Sequence, residues 1–244
     1  MKPHSGELIA WIRELGMIEE KTELYPAPDY VLPLGGYGQS NLRRCQVAKK
    51  TCDRYPDKEI LVCALSSQRK IDKQAEFDAI RDFAPEAKTE FEEMDCAMRI
   101  AYDLEPAVKH DTYNEPDTKE YWAAYTYASK EENRTYYNLS APCYEKTRAR
   151  ASTLDTFVHF LKCFDVPKGS RVFLLSTSLY EPYQYYSLLP EAIEYGVKLY
   201  FVGGEYKGYE GRLLATLCLQ DLKSAVDAMC KFLQKYPKNV ENVQ

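Results

Sequence analysis

The sequence predicts a three-layer α/β domain: a mainly parallel sheet of four or five strands with helices on both faces. Three observations carry this. Short apolar runs recur along the chain at "YVLPLGG" (30–36), "EILVCALSS" (59–67), "VPKGSRVFLLSTS" (166–178) and "VKLYFVGG" (197–204). They are continuous rather than alternating, as expected of strands buried on both faces. The segments between them carry helical periodicity, and strands alternating with helices build a parallel sheet covered on both sides. Each run ends in Gly, Ser, Gln, Arg or Tyr, at the strand ends where such sheets gather ligands.

The elements follow in order. Residues 5–20 form an amphipathic helix with Leu8, Ile9, Ile12, Leu15 and Ile18 at helical spacing and Ser5 as a possible N-cap residue. "YPAPDY" is a proline-stiffened link. "YVLPLGG" is a buried strand despite Pro33, which removes one ladder donor. "SNLRRCQVAKKTCDRY" is a helix capped by Ser40 or Asn41. "EILVCALSS" is the second strand. "DKQAEFDAIRDFA" and "AKTEFEEMDCAMRIAYDL" are helices ended by Pro85 and Glu105-Pro106. Residues 107–150 are polar and Tyr-rich, with at most one helix around "KEYWAAYTYASKEE". That is too long for an ordinary connection and predicts an excursion or lid. "STLDTFVHFLKCF" is a helix, 171–178 a third strand, "YSLLPEAIEYG" a crossover helix kinked at Pro190, and "VKLYFVGG" a fourth strand. A long helical segment closes the chain. The whole of 1–244 reads as one α/β domain, with an N-terminal helix and linker (1–28), the 107–150 excursion and C-terminal helices (210–240).

Composition narrows the function. The 244 residues are 45% hydrophobic, enough for one sizeable core. A net charge of -5 gives no global attraction to nucleic acid or anionic membrane. No apolar stretch is long enough to span a bilayer, and the charged N-terminus lacks a signal-peptide core, so a cytoplasmic location is expected. Eight cysteines without a C-x-x-C pair read as buried or inert thiols rather than disulfides. Three histidines, none at ligand spacing from a cysteine, predict no metal.

Four strand ends, "GGYGQS" (35–40), "SSQRK" (66–70), "STSLYEP" (176–182) and "GGEYKG" (203–208), and one helix start hold the candidate chemistry. In "GGYGQS", Gly35, Gly36 and Gly38 would let backbone approach a ligand. Gln39, Ser40 and the following helix N-terminus would face an anion, and Arg43 or Arg44 would add a guanidinium fork. The spacing is neither G-x-G-x-x-G nor a P-loop. In "SSQRK", Ser66, Ser67 and Arg69 would point into the same crevice, with Glu76 as acid/base candidate or as a simple helix-start carboxylate. In "TRARASTLDT", Arg150, Thr153 and Thr156 would bind an anion and Asp155 is the second acid/base candidate; the plainer alternative is a helix cap. His159 belongs to the apolar face of that helix. In "STSLYEPYQYY", Ser176, Ser178 and Tyr180 line the third end, Tyr183 could stack on a ring, and no G-x-S-x-G elbow exists.

The order "LGG…R…A" (Leu34–Ala48), Ser66 with Glu76, "STLDT" (152–156) and "STS" (176–178) resembles the SanA/ElyC/YdcF-like proteins over roughly residues 30–205. The resemblance implies a Rossmann-like fold of poorly defined activity. It also implies a common cleft lined by Gly35, Gly36, Arg43, Ser66, Glu76, Thr153, Thr156 and Ser178. The chain departs from that family in carrying Tyr180, Glu181 and Tyr183 where a His and a basic residue usually follow the third strand, and in the 107–150 excursion.

The expected function is a soluble protein that binds a small anionic or nucleotide-like ligand at the carboxyl ends of its strands. The ligand or cofactor would be a nucleotide or S-adenosylmethionine, and any reaction a metal-independent hydrolysis or group transfer. The alternative is a non-catalytic interaction or effector protein that binds a protein partner through the Tyr-rich 113–144 surface.

Overall fold

The computed structural model describes residues 5–18, 25–113, 121–143, 148, 150–206, 208 and 210–237. Seven strands form one sheet: β1 (Tyr30–Pro33), β2 (Ile60–Leu65), β3 (Lys109–Tyr113), β4 (Trp122–Tyr127), β5 (Arg134–Leu139), β6 (Arg171–Thr177) and β7 (Lys198–Gly204). Their spatial order is β3-β4-β5-β2-β1-β6-β7. Pairing is parallel from β5 through β2, β1 and β6 to β7, and antiparallel for β3 with β4 and β4 with β5. The chain moves outward from β1 through β2 to β5, then returns to the other side of β1 with β6 and β7. The fold is α/β as expected, but the sheet is larger than four or five strands and is mixed.

Side-chain alternation explains why the apolar runs are continuous. Val31, Val62, Ala64, Phe173 and Leu175 project to one face, against α2 (Ser40–Asp53) and α4 (Glu90–Tyr102) through Cys45, Ala48, Met94, Ala97 and Met98. Leu32, Cys63, Leu65, Val172 and Leu174 project to the other, against α5 (Thr153–Cys163) and α6 (Glu181–Tyr195) through Phe157, Phe160, Leu188 and Ala192. With both faces covered, neither parity of the strand can be polar. Pro33 fits because its missing donor falls on the β2 side, where the β1–β2 register stops at Val31–Val62; on the β6 side it pairs with Leu175.

The excursion corrects the sequence reading most. The segment expected as a helix around 119–132 contributes β4 instead, paired to β5 and to the edge strand β3. Trp122, Tyr125 and Tyr127 suit a pleated surface. Tyr113 stacks on Trp122 at 4.5 Å and His110 on Tyr125 at 4.0 Å, the cross-strand ring pairs that stabilise a ribbon. Residues 114–120 and 144 of the Tyr-rich stretch lie outside the described residues.

The remaining differences are local. The first helix, α1 (Ser5–Glu14), ends short of 20 because Gly16 turns the chain at φ +68°; the side chain of Ser5 and residues 19–20 lie outside what is described. α3 (Gln74–Ile80) is short, α6 runs through Pro190, and α7 (Gly211–Lys235) packs on α6 and α1. The α2 N-cap is Gln39, not Ser40 or Asn41. The cysteines described are all free thiols, with Cys45, Cys52, Cys63, Cys143 and Cys218 buried.

Candidate functional site

Parallel pairing brings the carboxyl ends of β1, β2, β6 and β7 to one edge. The Leu34 amide donates to Leu175 O at 2.9 Å and the Gly35 amide to Leu65 O at 2.6 Å, so three of these ends are stitched together. Thr177 at the end of β6 pairs with Gly204 at the end of β7.

The glycines have side-chain neighbours that the sequence did not reveal. A Cβ on Gly35 would lie 2.2 Å from Glu90 Oε1, and one on Gly36 would lie 2.8 Å from Arg44 Nη1. The paired glycines make room for two charged side chains pressed against the backbone. Gly38 turns the chain into α2 at φ +56°. Gln39 accepts from Arg43 at 2.8 Å, and Asn41 Oδ1 accepts from the Gly36 amide at 2.7 Å, which ties the turn to the helix.

A cavity of about 140 Å³ opens between α2 and the ends of β6 and β7. Ser40, Arg43, Arg44, Val47 and Lys50 line it from α2, Ser176, Thr177 and Tyr180 from the end of β6, and Gly204, Glu205 and Tyr206 from the end of β7. Three cations thus face one carboxylate. Arg44 is only 4% exposed. Its Nη1 donates to Leu34 O at 2.8 Å and to Gly35 O, its Nη2 donates to Thr177 Oγ1 at 3.4 Å, and the guanidinium lies 5.9 Å from the centre of the Tyr180 ring. Burial lowers its pKa, partly offset by Tyr180 and Glu90. Two buried polar atoms of this wall, Arg44 Nε and Ser176 Oγ, make no hydrogen bond.

Beside the cavity lies a buried charge network. Arg69 forks onto Glu76, with Nη1 to Oε2 at 2.8 Å and Nη2 to Oε1 at 2.5 Å, and donates from Nε to Glu90 Oε2 at 3.0 Å. The Glu76 bonds raise the Arg69 pKa despite burial. Glu90 also accepts from the Ser67 amide at 3.2 Å. Burial nevertheless pushes its carboxyl up, against the pull of Arg69, Arg150 and Arg44. Glu93 is fully buried, and neither of its carboxylate oxygens makes a hydrogen bond of good geometry, although the Asn41 side chain stands near enough to favour its charged form. Burial, reinforced by Glu76 and Glu90, raises it to about 8, only partly countered by Asn41 and Arg69.

Of the residues singled out from sequence, Ser40, Arg43, Ser176 and Tyr180 meet at the cavity. Gly35, Gly36, Ser67, Arg69 and Glu76 belong to the neighbouring network. Several of the others have structural partners. Ser66 Oγ donates to Asn138 Oδ1 at 2.9 Å, and Ser178 Oγ donates to Gly204 O at 3.1 Å in the space Gly203 leaves. Asp155 closes a capping box with Ser152 and takes Arg148 at 2.6 and 3.0 Å, while Thr156 bonds back to Ser152 O. The cap alternative therefore describes Asp155 and Thr156, and Thr153 is the first residue of α5. Arg150 is exposed. Glu76 is fully buried and held by Arg69, so it reaches no solvent. His159 packs edge-on against Trp122 at 4.6 Å.

Sequence reasoning placed Thr177, Glu205 and Tyr206 at strand ends without giving them a role, and missed Lys50 at the cavity and Asn41, Glu90 and Glu93 in the network. For Lys50 a signal existed: Ser40, Arg43, Val47 and Lys50 fall at i, i+3, i+7 and i+10, one stripe of α2. For Glu90 and Glu93 none did, since first-turn carboxylates occur on helices everywhere. Among the described residues no cluster of three or more His, Cys, Asp or Glu side chains is arranged to hold a metal ion.

No family model matches the chain, and no solved structure matches it significantly. Uncharacterized proteins of Mycobacterium tuberculosis (strain ATCC 25618 / H37Rv) and Mycobacterium bovis are each 26% identical to it over 238 residues. Each alignment covers 93% of this chain and 66% of the relative, so the chain spans just under two thirds of their length. No helix among the described residues is long and apolar enough to cross a membrane.

Proposed function

We propose that the chain binds a small anionic, nucleotide-like ligand at the carboxyl edge of its sheet, in the cavity between α2 and the ends of β6 and β7. One observation carries this: Arg44 Nε and Ser176 Oγ are both buried in the cavity wall without a hydrogen-bond partner. A buried donor left unmade costs on the order of 1–3 kcal/mol, and an anionic ligand that reached these atoms would offset that cost. Arg43 and Lys50 add charge at the mouth, and the Tyr180 and Tyr206 rings offer stacking surface. The strand order that reverses at β1, next to this cavity, and the SanA/ElyC/YdcF resemblance both support a Rossmann-like site. Hydrolysis or group transfer on the bound anion is the accompanying reaction class. Glu76 and Asp155 are each held by an arginine, so the site is a binding site before it is a catalytic one.

The test is a thermal-shift screen of nucleotides, S-adenosylmethionine and sugar phosphates at fixed salt, because a ligand that binds only the native state raises Tm. A hit lost in Arg43→Ala and Lys50→Ala, with the ligand-free Tm unchanged, supports the site. A hit indifferent to both substitutions, or no hit at all, overturns it.

A second reading, an interaction protein, is favoured by β3: it is an edge strand, largely exposed, with Tyr113 and Tyr121 exposed beside it. Such an edge can accept a strand from a partner. Thr112→Pro would block that pairing while leaving ligand binding intact.

A further inference from the structure

A second cavity, of about 270 Å³, lies between α6 and α7. Tyr180, Tyr183 and Gln184 line it from one side, and Gln220, Asp221 and Ser224 from α7. Among the described residues no Lys, Arg or His lines it. Asp221 is 7% exposed, and its Oδ2 makes no hydrogen bond. Gln184 Oε1 is likewise buried without a partner. The Ser224 hydroxyl is already spent on Gln220 O, at 3.0 Å, along its own helix. The cavity therefore presents two unsatisfied acceptors, one of them a carboxyl, and no cation to answer them.

We propose that this cavity binds an organic cation, a primary ammonium carried on a slim apolar stem. An ammonium is donors only, and it matches a carboxylate and an amide oxygen that have no donor of their own. The Tyr180 and Tyr183 rings favour a cation over a neutral donor, since an aromatic face attracts positive charge. One carboxylate and one amide fall short of the six to eight oxygens a calcium ion gathers, and an anion would meet no donor here. Burial, which pushes Asp221 up to about 7, is the free-energy cost that a bound cation would offset. The inference stands apart from the anion cavity, with which it shares only Tyr180 among the lining residues.

The experiment is an NMR titration of the isotope-labelled full chain with butylammonium chloride, with 1-butanol and sodium chloride as matched controls. Saturable shifts at Asp221, at the Gln184 side chain and at Tyr183, with butylammonium alone, are expected. Asp221→Asn should weaken binding by about tenfold or more, the worth of one charge-assisted hydrogen bond. Gln184→Glu should strengthen it, which decides the matter even if Asp221→Asn fails to fold. Equal shifts with butanol or sodium chloride, affinity unchanged in a folded Asp221→Asn together with no gain in Gln184→Glu, or no saturable shift with the amine would overturn the proposal.

Discussion

Glu93→Gln is the substitution whose effect the structure defines best. Glu93 is fully buried, Asn41 and Arg69 offset that burial only in part, and Glu76 and Glu90 stand close enough to oppose its ionisation. Its carboxyl is raised from 4.5 to about 8. The folded state therefore holds a proton that the unfolded chain releases near its ordinary pKa. Between those two values the unfolded state binds fewer protons than the native state, so stability falls as pH rises. Each unit of separation is worth on the order of 1.4 kcal/mol, which makes the loss several kcal/mol by pH 9. Glutamine keeps the shape and cannot ionise. Urea denaturation at pH 5, 7 and 9 should show Glu93→Gln close to the wild type at pH 5 and more stable by several kcal/mol at pH 9. A difference between the two proteins that stays flat across this range refutes a raised Glu93 carboxyl.

Gly35→Ala should destabilise by about 2–4 kcal/mol in the same assay, because a methyl 2.2 Å from Glu90 Oε1 displaces that carboxylate from Arg69 and the Ser67 amide and leaves a buried pair broken. Gly203→Ala should cost about 1–3 kcal/mol by pushing the Ser178 hydroxyl, 2.3 Å from the new Cβ, off Gly204 O. Burial opposes ionisation of Asp29, but hydrogen bonds from Arg171 and Lys58 outweigh it and hold the carboxyl at about 2. Arg171→Met should move that value toward 4 in an NMR titration. The stability it removes should be evident at neutral pH and vanish as pH falls through 2, since a depressed carboxyl stabilises only while it is ionised.

The core strands were legible because burial on both faces leaves no room for polar residues at either parity, and "ILVCAL" and "RVFLLST" can be little else. The candidate cavity was legible in outline for a topological reason: parallel strands must end together, so Ser40, Arg43, Ser176 and Tyr180 had to share an edge. β4 was not legible. "WAAYTY" has the alanines of a helix and the aromatics of a strand, and the choice was made by β5, whose open edge it pairs. Nor was the purpose of Gly35 and Gly36 legible, because a glycine pair reads alike whether it faces a ligand or a side chain. Asp155 shows the same limit, as a carboxylate three residues after a serine is a cap or a catalyst depending on what it meets.

By itself the sequence determined the alternation of buried strands and covering helices, and hence the edge at which polar loops collect, because apolar periodicity is a property of the local chain. Only the tertiary structure decided which charges meet. Arg44 and Ser176 at one cavity, Glu93 among carboxylates and Asp221 facing a gap between helices are juxtapositions of residues distant in the chain or of separate helices, and no local pattern encodes how a buried charge will be answered.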